Sequence, residues 1–361
     1  MRLLLMLLIL SFQNHLHVEG TETESERDAL ISFKSQVSHP TNSLSSWTAS
    51  ANSSYCTWYG VSCSKNTMNG ARSRVESLSL PGLSLSGKLS YQLSHLTYLR
   101  SLDLSNNKFE GQVPLHFARL SRLELINLAT NNLSGRLPAG LGLLKHLQVM
   151  DFSLNDLTGE VPNSFGNLSS LIYLALARNQ FFGQNPIELC NLHNLNSFQL
   201  SENNLNGQFP TCIFNISSLE FISVTYNNLS GRLLQDVGHT LPNLKSLFLA
   251  RNRFQGEIPS SVSNASKLED LDLSNNQFHG FIPLFANMNN LTRINLGNNN
   301  LSSTTTLNYQ LFDSLRDSTQ LIELRIYSNQ MAGQLPTIVT NISRNLQHFC
   351  FADNFLTGSI P

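Results

Sequence analysis

The sequence predicts an α/β solenoid, mostly β with short and 3-10 helices: about twelve coils stacked into a curved right-handed superhelix, their strands forming one parallel concave sheet. Three observations predict it. One template recurs along the chain at a spacing of 24 residues. An Asn recurs at one position of nearly every copy. The first segment after the leader follows neither pattern and carries a paired-cysteine plug. A repeat this short cannot bury its own apolar face, whereas stacked copies bury a continuous one.

The chain opens on MRLLLMLLILSF, one Arg ahead of an apolar run, followed by a polar stretch reaching Gly20. That is the form of a secretory leader cut near Gly20, so residues 1–20 are read as a signal peptide. The run is about half the roughly 20 apolar residues that a bilayer span needs. No second run of that length follows, so a membrane tie is expected only through segments outside these residues.

Residues 21–74 are read as the cap. Ala29, Leu30, Phe33 and Val37 stand at helical spacing, Thr23 or Ser25 is placed to cap the helix, and Pro40 ends the pattern. Leu44, Trp47, Trp58 and the pair Cys56 and Cys63, seven residues apart in CTWYGVSC, supply an apolar plug with a short disulfide loop.

From residue 75 to 361 the template runs: apolar at the start, apolar at +3 and +5, Asn at +8, apolar at +10, Gly at +12, apolar at +14, Pro at +15. The starts are Val75, Leu99, Leu123, Leu147, Leu171, Leu195 and Leu219, then Leu244, Leu268, Leu291, Leu321 and Leu346. The LxxLxL segment alternates apolar and polar, giving one short strand per coil with leucines inward. At about 4.8 Å per strand, twelve line a sheet roughly 50 Å long. The Asn column, Asn107 through Asn354, is read as structural, because an amide has the donors and acceptor to satisfy backbone where each coil turns. Only the first copy lacks it, with Leu83 in its place. Gly111 and Pro114, and their equivalents, are read as turning the chain and ending the strand.

Two copies depart. The tenth lacks its Gly and Pro and carries STTTLNYQLFDSLRDSTQ, read as a bulge from the outer face with a short helix through Leu311, Phe312 and Leu315. The twelfth stops at Pro361 in mid-repeat, which predicts apolar core open to water.

The variants LTGEVP, FQGEIP and LTGSIP resemble the plant-specific class of leucine-rich repeats, and SSW followed by CTWYGVSC resembles the N-terminal cap of the same proteins. The stretch from Leu311 to Pro361 is similar to the irregular repeat and its successors in plant receptor kinases that include sensors of bacterial proteins. Members of that family often have Asn-Cys where this chain has Asp317 and Ser318. The resemblance implies a leucine-rich-repeat ectodomain on the extracellular side of the plasma membrane, or secreted if the chain is complete. It also implies a peptide or protein ligand and a shorter leucine-rich-repeat co-receptor kinase. Kinase activity would belong to a full-length form, since no phosphate-binding glycine loop or kinase motif occurs in these residues.

Ligand-reading residues are expected at outward strand positions of the fifth to eighth copies: Tyr173, Arg178, Gln199, Glu202, Phe221, Tyr226, Phe248 and Arg251. Aromatics and Arg are the residue types enriched in interface hot spots. Asp103, Asn127 and Asp151 give the earlier copies a blander face. Arg325 and Tyr327 form a second candidate, with Cys350 on the same face. Cys190 and Cys212, 22 residues apart, are brought close by stacking at slightly different depths, so the spacing suits a disulfide without requiring one. Cys350 is left over. The motif N-x-[ST] marks Asn52, Asn132, Asn167, Asn215, Asn228, Asn264, Asn290, Asn300 and Asn341 as glycan acceptors in a secreted chain, none at the centre of an outward strand position.

A net charge of −1, with only 13% charged residues, excludes a basic surface for nucleic acid. Scattered Ser, His and Asp form no catalytic set, no His/Cys cluster has metal spacing, and no cofactor is expected. The competing reading is a secreted leucine-rich-repeat inhibitor of microbial cell-wall-degrading enzymes. The irregular tenth copy and the missing cysteine-bearing terminal cap speak against it. A truncated decoy or pseudogene product is the third reading.

Overall fold

In the computed structural model, residues 18–40, 42–48, 54–64, 73–286 and 288–360 are described. Most of the expected leader, and Asn52, lie outside them. Contacts divide the chain into two units, Met1–Asp156 and Leu157–Pro361.

The first unit opens with helix α1, Val18–Gln36. It buries Ala29, Leu30 and Phe33 as expected, but two expectations are corrected. The helix begins at Val18, upstream of both Thr23 and Ser25. It also ends before Val37, because Val37–Ser38 is a strand antiparallel to Ser86–Lys88. That pairing gives the backbone a ladder partner where the β-branched Val would be a poor helix residue. Gly87 permits it: at φ +122° a Cβ here would lie 2.5 Å from the Gln36 carbonyl oxygen.

The plug is aromatic. Trp47 and Trp58 stack at 5.5 Å, and Phe33 lies 6.1 Å from Trp47 and 5.9 Å from Phe109 of the second coil. Cys56 and Cys63 are bonded, with their Cα atoms 5.5 Å apart. Strand Val61–Cys63 runs antiparallel to Val75–Ser79, covering the edge that the first coil would otherwise leave open. Beneath the plug, buried Glu26 accepts from Arg74 Nε (2.9 Å), the Val75 N–H (3.2 Å) and the Tyr55 hydroxyl (3.2 Å). Burial nevertheless raises its carboxyl above the ordinary range, and Arg74 only partly offsets this.

Each coil contributes the expected strand. In the first unit these are Val75–Ser79, Ser101–Asp103, Leu125–Asn127 and Val149–Asp151, parallel neighbours in that order. In the second unit they are Tyr173–Ala175, Ser197–Gln199, Phe221–Ser223, Ser246–Phe248, Asp270–Asp272, Arg293–Asn295, Glu323–Arg325 and His348–Cys350. Four and eight make the twelve copies read from the sequence. Leu171, Leu174 and Leu176, at 0, +3 and +5 of the fifth copy, have no exposed surface.

The Asn column works as chemistry requires. Asn131 Nδ2 donates to the carbonyls of Leu104 (3.1 Å), Leu128 (3.1 Å) and Ala129 (3.3 Å), while its Oδ1 accepts from the Phe109 N–H at 2.9 Å. One side chain thus joins two coils and satisfies buried backbone in both.

A second ladder was not foreseen. Just past the Asn, each coil extends again: Ser86–Lys88, Lys108–Gly111 and Asn132–Gly135 in the first unit. The second unit has Gln180–Gly183 through Asn300–Ser302. Only the +10 residue points inward there, as with Phe109 and Leu133, so the alternation is too brief to read as a strand. Gly111 ends its strand at φ +77°, and Pro114, instead of merely stopping a strand, starts the 3-10 helix Leu115–Arg119.

In the second unit the eighth copy starts after a one-residue insertion, and a short helix, α2 (Val237–Thr240), replaces the 3-10 turn. In the tenth, helix α3 (Thr305–Ser314) buries Leu311 and Phe312, followed by buried Leu315. It does not bulge free: Asn308 Nδ2 donates to the carbonyls of Ala332 (2.9 Å) and Gln334 (3.2 Å). The second ladder is reduced there to a bridge between Ser302 and Gln330. In the last copy Phe355 is 68% exposed. The fifth copy has one flaw: Asn185 occupies the apolar +14 position, 5% exposed, with no protein partner for Oδ1 or Nδ2.

Candidate functional site

All eight expected ligand-reading residues lie in the second unit, and the structure joins them in four pairs. On neighbouring strands, Gln199 Nε2 donates to the Tyr173 hydroxyl (3.1 Å) and to Ser197 Oγ (2.9 Å). The rings of Phe221 and Phe248 meet edge to face at 5.6 Å. In the turns that follow the strands, Arg178 Nε donates to Glu202 Oε1 at 2.8 Å, and the Arg251 guanidinium lies 4.6 Å from the centre of the Tyr226 ring.

Two details differ from a simple exposed row. Tyr173, Phe221 and Phe248 are half-buried, because neighbouring side chains cover each other, whereas Tyr226 is 51% exposed. Arg178, Glu202, Tyr226 and Arg251 are not on the strands. They occupy the +7 turn in the left-handed region, at φ +54° to +56°. This conformation costs roughly 1 kcal/mol per non-glycine residue. It is held by the next coil: the Arg178 N–H donates to the Ser201 carbonyl and the Asn179 N–H to the Glu202 carbonyl. The turn aims four long side chains along the same edge of the strand face.

Beyond Phe248 the strand face turns from aromatic to charged. A hollow of about 350 Å³ is lined by Phe248, Asp272, Arg293, Asn295, Glu323 and His348 among others. Phe248 was expected from the sequence; Asp272, Arg293, Asn295, Glu323 and His348 were missed by looking for ligand-reading residues chiefly in the fifth to eighth copies. Their signal was their place at +2 and +4 of the later strands. Arg293 approaches Asp270 at 3.9 Å, and Arg325 Nε donates to Glu323 Oε1 at 2.9 Å. Arg325, Tyr327 and Cys350 line a neighbouring hollow with His348 and Phe349. Tyr327 lies flat on Gly297, where any Cβ would collide with its ring. Asp103 and Asp151 of the first unit are partly occupied in bracing Ser105 and Ser153.

On the coil flanks, Cys190 and Cys212 are bonded, with Cα atoms 5.6 Å apart; Cys350 is free. Asn132, Asn167, Asn215, Asn228, Asn264, Asn290 and Asn300 are exposed and absent from the strand face. Along the edge preceding the strands, Lys245 Nζ donates to Glu220 Oε2 at 2.6 Å, which holds that carboxyl below its ordinary range.

The leucine rich repeat N-terminal domain matches residues 23–64, and leucine rich repeats match residues 98–120, 146–168 and 242–301. Among curated relatives, Protein MALE DISCOVERER 1 of Arabidopsis thaliana is 39% identical over 114 residues, 31% of this chain and 15% of that protein. The LRR receptor-like serine/threonine-protein kinase EFR of Arabidopsis thaliana is 40% identical over 93 residues, 25% of this chain and 8% of that protein. The aligned stretches of such relatives are therefore a small share of their length, and in the kinases they fall in repeat sequence.

Among solved structures, the ectodomain of the Arabidopsis receptor kinase HAESA, in complex with an IDA peptide hormone, superposes with a TM-score of 0.76 at 30% identity. That match covers 94% of this chain and 58% of HAESA's. The plant peptide hormone receptor RGFR1 in complex with RGF2 gives 0.71 at 29% identity, covering 85% of this chain and 54% of the other. A plant ice-binding protein, at 23% identity and a TM-score of 0.56, shares the fold alone. The chain is a leucine-rich-repeat protein, with a cap and coils of the plant type, whose relatives are plant leucine-rich-repeat receptor kinases and whose structural neighbours are their ectodomains.

Proposed function

We propose that this chain is the ligand-recognising part of a receptor-kinase-like protein acting at the plant cell surface in signalling or defence. It binds an extracellular peptide or protein across the strands of the fifth to eighth copies. The observation that carries this reading is the set of four side-chain pairs on one face of the second unit. Their aromatic rings and Arg groups are held in place before any ligand arrives, which reduces the ordering cost of binding. HAESA and RGFR1 have been solved with peptide hormones, and HAESA also with the co-receptor SERK1. Those complexes support a peptide ligand and a shorter co-receptor here.

In this reading residues 1–20 are a removed leader, 21–74 the cap and 75–361 the recognition coils. Glycans on the flank Asn residues leave the strand face open. The test is binding of peptide pools to the purified chain. Pools that bind the native chain and equally the Phe221→Ala, Tyr226→Ala, Phe248→Ala triple variant would overturn the placement of the site.

A further inference from the structure

We propose that the hollow beyond Phe248 is a subsite for a cationic group, the ammonium or guanidinium of a Lys or Arg in the bound peptide; this deepens the function proposed above and rests on it. Phe248 and Asp272 stand directly opposite each other on neighbouring strands, a separation of about 4.8 Å between backbones. Both line the same 350 Å³ hollow. An aromatic face beside a carboxylate is the pairing that holds an organic cation, the ring quadrupole adding to the charge-assisted hydrogen bond.

Asp272 is set for this. Its Oδ1 accepts from the Ser274 N–H (3.0 Å) and Oγ (2.7 Å), which orients the carboxylate. No cation pairs with it among the described residues, unlike Asp270, which faces Arg293, and Glu323, which holds Arg325.

The charges of the hollow also differ in exposure. Of the residues that line it, Glu323 keeps 18% of its side-chain surface exposed and Arg293 keeps 60%. Glu323 is thus the more enclosed and Arg293 the more open to solvent. An incoming cation meets Asp272 with Phe248 and Asn295 on either side of it, in register on the two neighbouring strands. The hollow lies at the lower end of the size of ligand pockets, the size of one long side chain rather than a folded ligand. The peptide is thus read in two parts: an apolar part over Phe221 and Phe248, then a basic residue at Asp272.

The experiment is a positional-scanning library of acetylated, amidated hexapeptides titrated against the purified chain, with free spermidine in a parallel arm. Pools with Arg or Lys at one position should bind about tenfold tighter than those with Gln, and Glu should bind least. Asp272→Asn, which keeps the acceptor for Ser274, should erase that ranking, and Glu323→Gln should weaken it. Spermidine binding that depends on Asp272, without any preference among peptides, would keep the cation site and assign it to free polyamines. If basic pools bind no better than Gln or Glu pools and spermidine does not bind through Asp272, or if Asp272→Asn leaves the ranking intact, the subsite is overturned. If both the affinity and the ranking are unchanged when Phe221 and Tyr226 are replaced, the aromatic placement fails and the cation site stands. Binding by no pool and no polyamine would overturn both.

Discussion

The rings of Phe221 and Phe248 meet at 5.6 Å and 68° across adjacent strands, a diagonal contact in which each ring is half-buried. Edge-to-face rings of this kind contribute about 0.5–1.5 kcal/mol beyond their buried area. Replacing Phe221, Tyr226 and Phe248 by Ala together should lower affinity for any bound peptide by at least about tenfold. The Asn ladder beneath is untouched, so the chain should still fold. Calorimetric titration with circular dichroism separates the two effects.

Asn203 joins two coils: its Oδ1 accepts from the Phe181 N–H, and its Nδ2 donates to the carbonyls of Leu176, Leu200 and Ser201. Asn203→Ala leaves buried backbone groups without partners, at about 1–3 kcal/mol for each one left unmade. A loss of about 3 kcal/mol in urea denaturation is expected. A loss below about 0.5 kcal/mol would show that the column is dispensable.

Asn185 sits where the other copies place Val113, Leu137, Val161 or Phe209. With both amide atoms unpartnered by protein and the residue 5% exposed, Asn185→Val should raise stability by about 1–2 kcal/mol. A thermal shift in the opposite direction would show that this amide is needed.

Cys190 and Cys212 close a loop of 22 residues of sequence. Replacing both by Ser should destabilise the second unit by about 3 kcal/mol in the chain-entropy account. Non-reducing peptide mapping checks the bond itself, and denaturation its contribution.

Glu26 gives the cap a pH dependence. Its folded carboxyl is raised by burial, so the native state holds the proton more tightly than the unfolded chain. The stabilising contribution is full below the ordinary value of 4.5 and is lost as pH rises through the raised value. Melting temperature should therefore fall from this group as pH rises above 4.5, and Glu26→Gln should remove that slope. Tyr55, pushed up to about 12 by burial and then by Glu26, acts likewise only in strong alkali.

Much of this was legible because a repeat multiplies every weak signal. The Asn at +8, the leucines at 0, +3 and +5 and the cysteines of the cap each recur or pair at fixed spacing, so the strands, the coil number and the cap follow from the residues. Tyr173, Gln199, Phe221 and Phe248 could be picked because outward strand positions follow from period two, whereas Arg178, Glu202, Tyr226 and Arg251 stand in the turn that follows. The helix of the tenth copy was visible as a departure from the template.

Other features required the stack itself. The second ladder depends on hydrogen bonds between residues about 24 apart, and one inward residue per strand leaves no alternation to read. The end of α1 and the departure of Val37 into a strand were decided by pairing with Ser86–Lys88, far along the chain. So was the hollow where Phe248 and Asp272 meet in register, a neighbourhood built from five strands. Local periodicity sets what each coil is, because it depends on residues next to one another. Contacts between coils set what the face presents, because those partners become neighbours only after stacking.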